Sequence, residues 1–349
     1  APEGGFAKRL DEAWRDRLSA RRLYVNELFL TLVRRPLQGS AGLLERLLRP
    51  GSVAEAQAAE VRELRQLHAT RETLAAALSP YGARTLGLYK GRSGTRSEIA
   101  EFLALLLNGD ARPMLAPTGD LGEVLAARRL SFGGDAIEFG GGGAYQPEYG
   151  AMVSLKDYPA RSAPGLLDGV LRLPMELVLT ESFAFVDQRV ALDRMGLALR
   201  RLRAAEDEAY SLRGELAAAK DEVGAGRAAY GEHHLTVLCK AERLEELEPA
   251  VADAQSALAE AGAIGVREDV GLEPAYWAQF PGNFSYIARK ALVSTANFAS
   301  LASLHNQPVG RAEGGPWGPP VTVLETTAFG PYHFNFHAGD LGNFTVIGP

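Results

Sequence analysis

With 349 residues, 46% of them hydrophobic, the chain is long enough for two or three domains with proper cores. Its formal net charge of −6 removes any overall pull toward nucleic acid, and its single cysteine excludes an internal disulfide framework or a cysteine-rich metal site. No apolar run approaches the about 18 residues of a membrane span and no secretory signal opens the sequence, so the expected setting is the cytoplasm, free or docked to a membrane through a partner.

Phe6, Leu10, Trp14 and Leu18 recur at steps of four, which predicts an amphipathic helix over 6–20. RRLYVNELFLTLVRRP (21–36) turns strand-like from Leu28 to Val33 and closes at Pro36. Its flanking arginines (Arg21, Arg22, Arg34, Arg35) suit ion pairs or a solvated rim better than a nucleic-acid patch. A helix follows from about Val53 to Leu78, with His68 lacking a second metal-type residue at i+4. TLGLYK is a short strand turned by Gly91 and Gly94. Thr95 with Glu98 then forms a capping box for a helix that stops at Gly109. KGRSGTRS lacks the G-K-[ST] ending of a phosphate loop. The glycine run Gly140 to Gly143 sits in a composition break and marks the best internal boundary.

From 150 to 270 the pattern is the most regular of the chain: strand, short helix, strand, a long polar helix from Asp187 to Ala229, strand, helix, strand. This order matches a ferredoxin-like, split βαβ domain and an overall α/β (α+β) class. A single helix of that length reaches near 60 Å, so its second half is expected to protrude, offering Tyr210, Leu212 and Leu216 to a neighbour; the alternative is a hairpin or kink that folds the second half back on its own domain. His233 and His234 point to opposite faces of a strand and cannot jointly grip one metal ion, and Cys239 in LTVLC reads as a small buried hydrophobe. No nucleophile set, metal set or carboxylate pair stands at a defensible spacing, so no catalytic residue is assigned. Residues 274–311 are aromatic and amide-rich. Tyr276 and Trp277 beside Arg289, Lys290 and Arg311 could stack bases, but a packed linker uses aromatics equally well. Ser294, Thr295 or Asn297 is expected to cap a helix running to about Leu304.

The last stretch, WGPPVTVLETTAFGPYHFNFHAGDLGNFTVIGP, reads as strands over Val321–Thr327, Tyr332–Phe336 and Asn343–Ile347, reaching Gly348–Pro349 directly after the last one. A strand tip in glycine is where a phosphate-binding loop opens, and only its first glycine is present. The expectation is a chain cut at a domain edge. Three parts follow: an α/β subdomain over 1–145, the ferredoxin-like subdomain over 146–272, and an aromatic-rich lead-in over 273–349.

LYVNELFLTLVRRP, FPGNFSYIAR, STANFASLASLHNQPVGR, the Pro316–Trp317–Gly318–Pro319 cluster, PYHFNFH and DLGNFTVIGP, in this order, resemble the region ahead of the ATPase core in the CagE/TrbE/VirB family of type IV secretion and conjugation ATPases. The likeness runs through nearly the whole chain and is most specific from Phe280 to Pro349. It implies a full-length protein with a RecA-like motor that takes ATP and Mg2+ through GPxGxGK[ST], of which only Gly348 and Pro349 carry over. It also implies a hexamer or similar homo-oligomer, peripheral on the cytoplasmic face of the bacterial inner membrane, that powers pilus assembly and transfer of protein or single-stranded DNA. The region in hand would then be a non-catalytic docking module that meets inner-membrane components of the machine. The competing readings are a single-stranded nucleic-acid binder, which the acidic balance disfavours, and an enzyme with an unrecognised site.

Overall fold

The computed structural model describes residues 5–34, 53–141, 146–204, 210–302, 304, 306–337, 339 and 341–347. The fold is α+β, with a curled sheet and several helices. Two compact units divide the chain: one takes residues 1–28, 129–279 and 285–349, the other 29–128 and 280–284.

The chain opens on α1 (Phe6–Ser19), which belongs to the larger unit. Trp14 donates its indole N–H to the Val323 carbonyl at 3.0 Å, and Arg21, just past the helix, forks onto both carboxylate oxygens of Glu325 at 2.6 Å. These two contacts tie a helix at one end of the sequence to a strand near the other. Residues 22–34 enter no ladder, so the strand expected over Leu28–Val33 is absent.

In the smaller unit α2 (Val53–Leu78) leads to the hairpin β1 (Leu88–Gly91) and β2 (Gly94–Ser97), then α3 (Glu98–Asn108) and α4 (Leu121–Leu125). The cap of α3 is Ser97, whose Oγ accepts from the Ala100 N–H; Thr95, expected in that role, lies inside β2. The reason is Gly87: its N–H donates to the Glu98 carboxylate at 2.8 Å and its carbonyl accepts from the Glu98 N–H, so the helix starts two residues later. Gly109 then ends α3 at φ 71°, a left-handed conformation open to glycine at no steric cost. Asn108 is buried and fully used. Its amide donates to the Ala104 and Leu125 carbonyls and its oxygen accepts from the Ala127 N–H, binding the end of α3 to α4.

The larger unit is built on a seven-stranded sheet: β3 (Leu130–Phe132), β4 (Ile137–Phe139), β5 (Glu148–Asp157), β6 (Leu177–Phe185), β7 (Tyr230–Ala241), β8 (Ile264–Arg267) and β9 (Ala291–Ser294). All the pairings are antiparallel. β5 and β7 are the central pair. β4 and β8 share the outer edge of β5 end to end, while β9 continues the edge of β7 beyond the reach of β5. The four long-range strands therefore lie in the order β8-β5-β7-β6.

Period-two alternation sorts the side chains of these strands. Ala151, Val153 and Leu155 of β5 and Leu235, Val237 and Cys239 of β7 face α5 (Asp168–Leu171) and α8 (Leu244–Glu260), and together form the main core. Burial pushes the Cys239 thiol up to about 12, consistent with an inert packing role. The other face meets α9 (Leu272–Trp277), with Met152, Leu238 and the wholly buried Tyr276. At Gly231 a side chain is sterically excluded, since a Cβ there would come within 2.5 Å of the Phe183 ring.

The long helix expected from Asp187 to Ala229 is two helices, α6 (Gln188–Ala204) and α7 (Tyr210–Gly224), packed against each other. Ala191 and Met195 of α6 and Val223 of α7 are buried between them, with Leu192, Leu216, Ala228 and Tyr230 around. The physical reason is the sparse apolar row: a rod would leave it wet, and folding back gives each half the other's surface. Past the sheet, α10 (Thr295–Leu301) is capped by Ser294, whose Oγ accepts from the Asn297 N–H. The separate hairpin β10 (Thr322–Glu325) and β11 (Pro331–Phe334) follows, whereas the strand expected over Asn343–Ile347 is not formed.

Candidate assembly surface

Tyr210, Leu212 and Leu216 all lie on α7 but not in one environment. Tyr210 is 76% exposed, with the Arg213 guanidinium 4.9 Å from its ring centre, and Leu212 is 49% exposed. Leu216 is half-buried in the hairpin's own core. The helix turns two of the three outward and keeps the third for itself. Gly348 and Pro349, the other two residues singled out in the sequence, lie outside the described residues.

The histidine pair separates as strand geometry requires. His233 is fully buried on the α8 face, its Nε2 3.1 Å from the Glu181 carboxylate and its Nδ1 2.7 Å from the Tyr158 hydroxyl. Burial, and secondarily the Glu181 charge, hold that phenol protonated well beyond its ordinary range. Tyr158 stacks edge-on against the same imidazole, and the Phe298 ring approaches it from α10. This glutamate–histidine–tyrosine set is closed on itself and wholly engaged, so it packs the sheet end. His234 faces the other way and is 3% exposed; burial and the neighbouring His233 lower its pKa to about 4, against a smaller opposing pull from Glu268.

Two further charged groups are buried. The Lys240 ammonium, on β7, lies 3.4 Å from Glu148 and 3.1 Å from Glu176. Glu268, after β8, receives the Arg289 guanidinium at 2.6 Å. Sequence reading missed both, and the Tyr158–His233 contact, because the partners stand 64, 21 and 75 residues apart along the chain. Tyr276, considered as a base-stacking residue, is buried against Phe132 and Phe139, and its neighbour Trp277 packs on Phe132 and on Tyr276 itself. Its hydrophobic payload serves the core of the sheet. Among the described residues no group of three or more histidine, cysteine, aspartate or glutamate side chains is placed to hold a metal ion, and no helix is long and apolar enough to cross a membrane.

Comparison with known proteins decides what this arrangement belongs to. The family described as "CagE, TrbE, VirB family, component of type IV transporter system" matches residues 84–289, more than half of the chain. The chain belongs to this family. The "Type IV secretion system ATPase VirB4/TrbE, N-terminal domain" also matches residues 2–41. Among relatives of the family, the type IV secretion system protein virB4 of Bartonella quintana is 35% identical over 346 residues, covering 99% of this chain and 44% of its own length. Protein virB4 of Rhizobium radiobacter is 31% identical over 99% of this chain and 43% of its own length. The type IV secretion system protein PtlC of Bordetella pertussis is 31% identical with the same coverage of both. The chain thus spans less than half the length of these relatives and corresponds to their N-terminal region.

Proposed function

We propose that this chain is the docking and assembly region of a type IV secretion ATPase, performing no catalysis itself. The observation that carries the reading is the match to secretion-system proteins along 99% of the chain and only 44% of the relative. In the whole protein a motor domain would use ATP and Mg2+ to drive pilus assembly and transfer of protein or single-stranded DNA. The protein would work as a homo-oligomer, hexameric in this reading, on the cytoplasmic face of the inner membrane beside that system's membrane components. The sequence given holds no G-K-[ST] loop, so its own residues do not fit a nucleotide, and no step is assigned to ATP here. DNA contact would be weak, because four of the arginines considered for it, Arg21, Arg22, Arg34 and Arg289, each hold a carboxylate.

In the same reading residues 146–272 are the ferredoxin-like, split βαβ body, a view supported by the β8-β5-β7-β6 order and by α5 and α8 sharing one face. Residues 1–145 precede that body, and 273–349 lead toward the motor. The α6–α7 hairpin is the contact element, with Tyr210 and Leu212 as its outward apolar groups. Two measurements test the proposal. Co-expression with the inner-membrane components of a type IV system should retain this chain on membranes, and Tyr210→Ser with Leu212→Ser should release it. Calorimetry with ATP and Mg2+ should give no saturable binding. Micromolar affinity for ATP, or failure to associate with any such component, overturns the reading.

A further inference from the structure

Gly196, halfway along α6, forms a notch between two cations. A Cβ there would stand 3.4 Å from the Lys220 Nζ of α7 and 3.7 Å from the Arg200 Nη1 of α6 itself. Both charged nitrogens thus converge on one point of the seam between the helices, where like charges repel. Among the described residues no carboxylate lies within ion-pair reach of either, whereas the nearby Arg194 and Arg227 hold Glu232 at 2.8 Å and Glu222 at 2.7 Å. The helical period extends the pattern. Arg203 follows Gly196 and Arg200 on the same stripe of α6, and Arg213 lies two turns before Lys220 on the matching stripe of α7. The Arg213 Nε is buried with no hydrogen-bond partner among the described residues, an arrangement that costs free energy unless something accepts from it. α6 carries five arginines against the single Asp193, in a chain whose net charge is −6. Attraction to the helix dipole accounts for Arg201 and Arg203 in the last turn. It does not account for Arg200 and Lys220 meeting across a glycine.

We propose that this seam is an anion site for a phosphate group, held by Lys220 and Arg200 over Gly196, with Arg203 and Arg213 adding positive potential. Phosphate suits it chemically. Its tetrahedral oxygens can accept from an ammonium and a guanidinium at once, in charge-assisted hydrogen bonds stronger than neutral ones. It also relieves the repulsion between the two cations, which a neutral ligand does not. The glycine makes the room, since a side chain at 196 would project between the two nitrogens. Arg200 is exposed and Lys220 half-buried, so the notch opens to solvent and admits a phosphate on a lipid headgroup as readily as the free ion. Two cations at an open seam set an affinity in the millimolar range, far from that of a nucleotide pocket. The site stands independently of the secretion reading.

Phosphorus NMR of inorganic phosphate titrated with the 349-residue chain tests it. Saturable broadening with a millimolar dissociation constant is expected, with sulfate competing and acetate competing far less. Arg200→Gln with Lys220→Gln should weaken binding by about tenfold or more, whereas Lys220→Arg should preserve it. Arg201→Gln, about 100° round α6 from Arg200, should leave it unchanged and so separates a site from diffuse attraction. Co-sedimentation with vesicles of equal parts phosphatidylcholine and phosphatidylglycerol, against phosphatidylcholine alone, distinguishes the two sources. Retention on the anionic vesicles only, lost in the double variant, assigns the site to a headgroup; phosphate binding without retention assigns it to a soluble phosphate. Absence of saturable phosphate binding overturns the proposal. So does binding that acetate matches, that the double variant keeps, or that Arg201→Gln reduces as much.

Discussion

The Gln188 side-chain amide donates to the Val223 carbonyl at 2.6 Å, joining the first turn of α6 to the last turn of α7. A second contact from the same nitrogen reaches the Gly224 carbonyl at 3.3 Å. One polar side chain thus satisfies carbonyls that a helix C-terminus leaves without intrahelical partners, and it fixes the two helices as an antiparallel hairpin.

The hairpin geometry separates two leucines that stand four residues apart. Leu216→Ser should lower stability by about 1–2 kcal/mol, because it removes a part-buried apolar group from the contact with Ala191, Met195 and Val223. Leu212→Ser, at a position 49% exposed, should change stability by no more than about 0.5 kcal/mol. Chemical denaturation of the two single variants checks this, and equal losses would place Leu212 in the core.

His234 makes the fold sensitive to mild acid. Its folded pKa is about 4 against an ordinary 6.5, so the imidazole stays neutral in the native chain over a range where the unfolded chain binds a proton. Stability from this group is complete above pH 6.5, declines as the pH falls below it, and levels off near pH 4, where the native state also takes up the proton. The full difference is of order 3 kcal/mol. Burial is the main cause. His233 and Lys290 add to it, while Glu268 opposes it. Urea unfolding at pH 7 and pH 5 should show a smaller loss for His234→Gln than for the unaltered chain. Parallel losses would contradict the assignment.

The Arg289–Glu268 pair is expected to behave asymmetrically. Glu268 is 6% exposed, so Arg289→Ala leaves a buried carboxylate without its cation and should cost about 3 kcal/mol. Replacing both, Glu268→Gln with Arg289→Met, should recover much of that loss, because no uncompensated charge remains. A double-mutant cycle in thermal unfolding measures the difference. A double variant as unstable as Arg289→Ala alone would show that packing, and not charge, dominates the site.

Much of the secondary structure was legible from local rules. α1, α2, α8 and the strands β5 to β8 follow from apolar spacing, and the stop of α3 at Gly109 follows from side-chain chemistry within a few residues, whereas the cap of α10 was open among Ser294, Thr295 and Asn297 until the structure selected Ser294. The opposite facing of His233 and His234 needed only the two-residue period of a strand. The family likeness was legible too, since it rests on the order of short motifs along the chain.

Periodicity is a property of neighbours in sequence, and it could not say where the apolar row of 187–229 would find its partner. Only the tertiary structure divided that stretch into α6 and α7 packed on each other, because burying Met195, Leu216 and Val223 together gains what a single rod would forfeit. The same holds for Lys240 with Glu148 and Glu176. Charge pairing across tens of residues is settled by which elements meet, and the amino-acid order specifies that only through the whole fold.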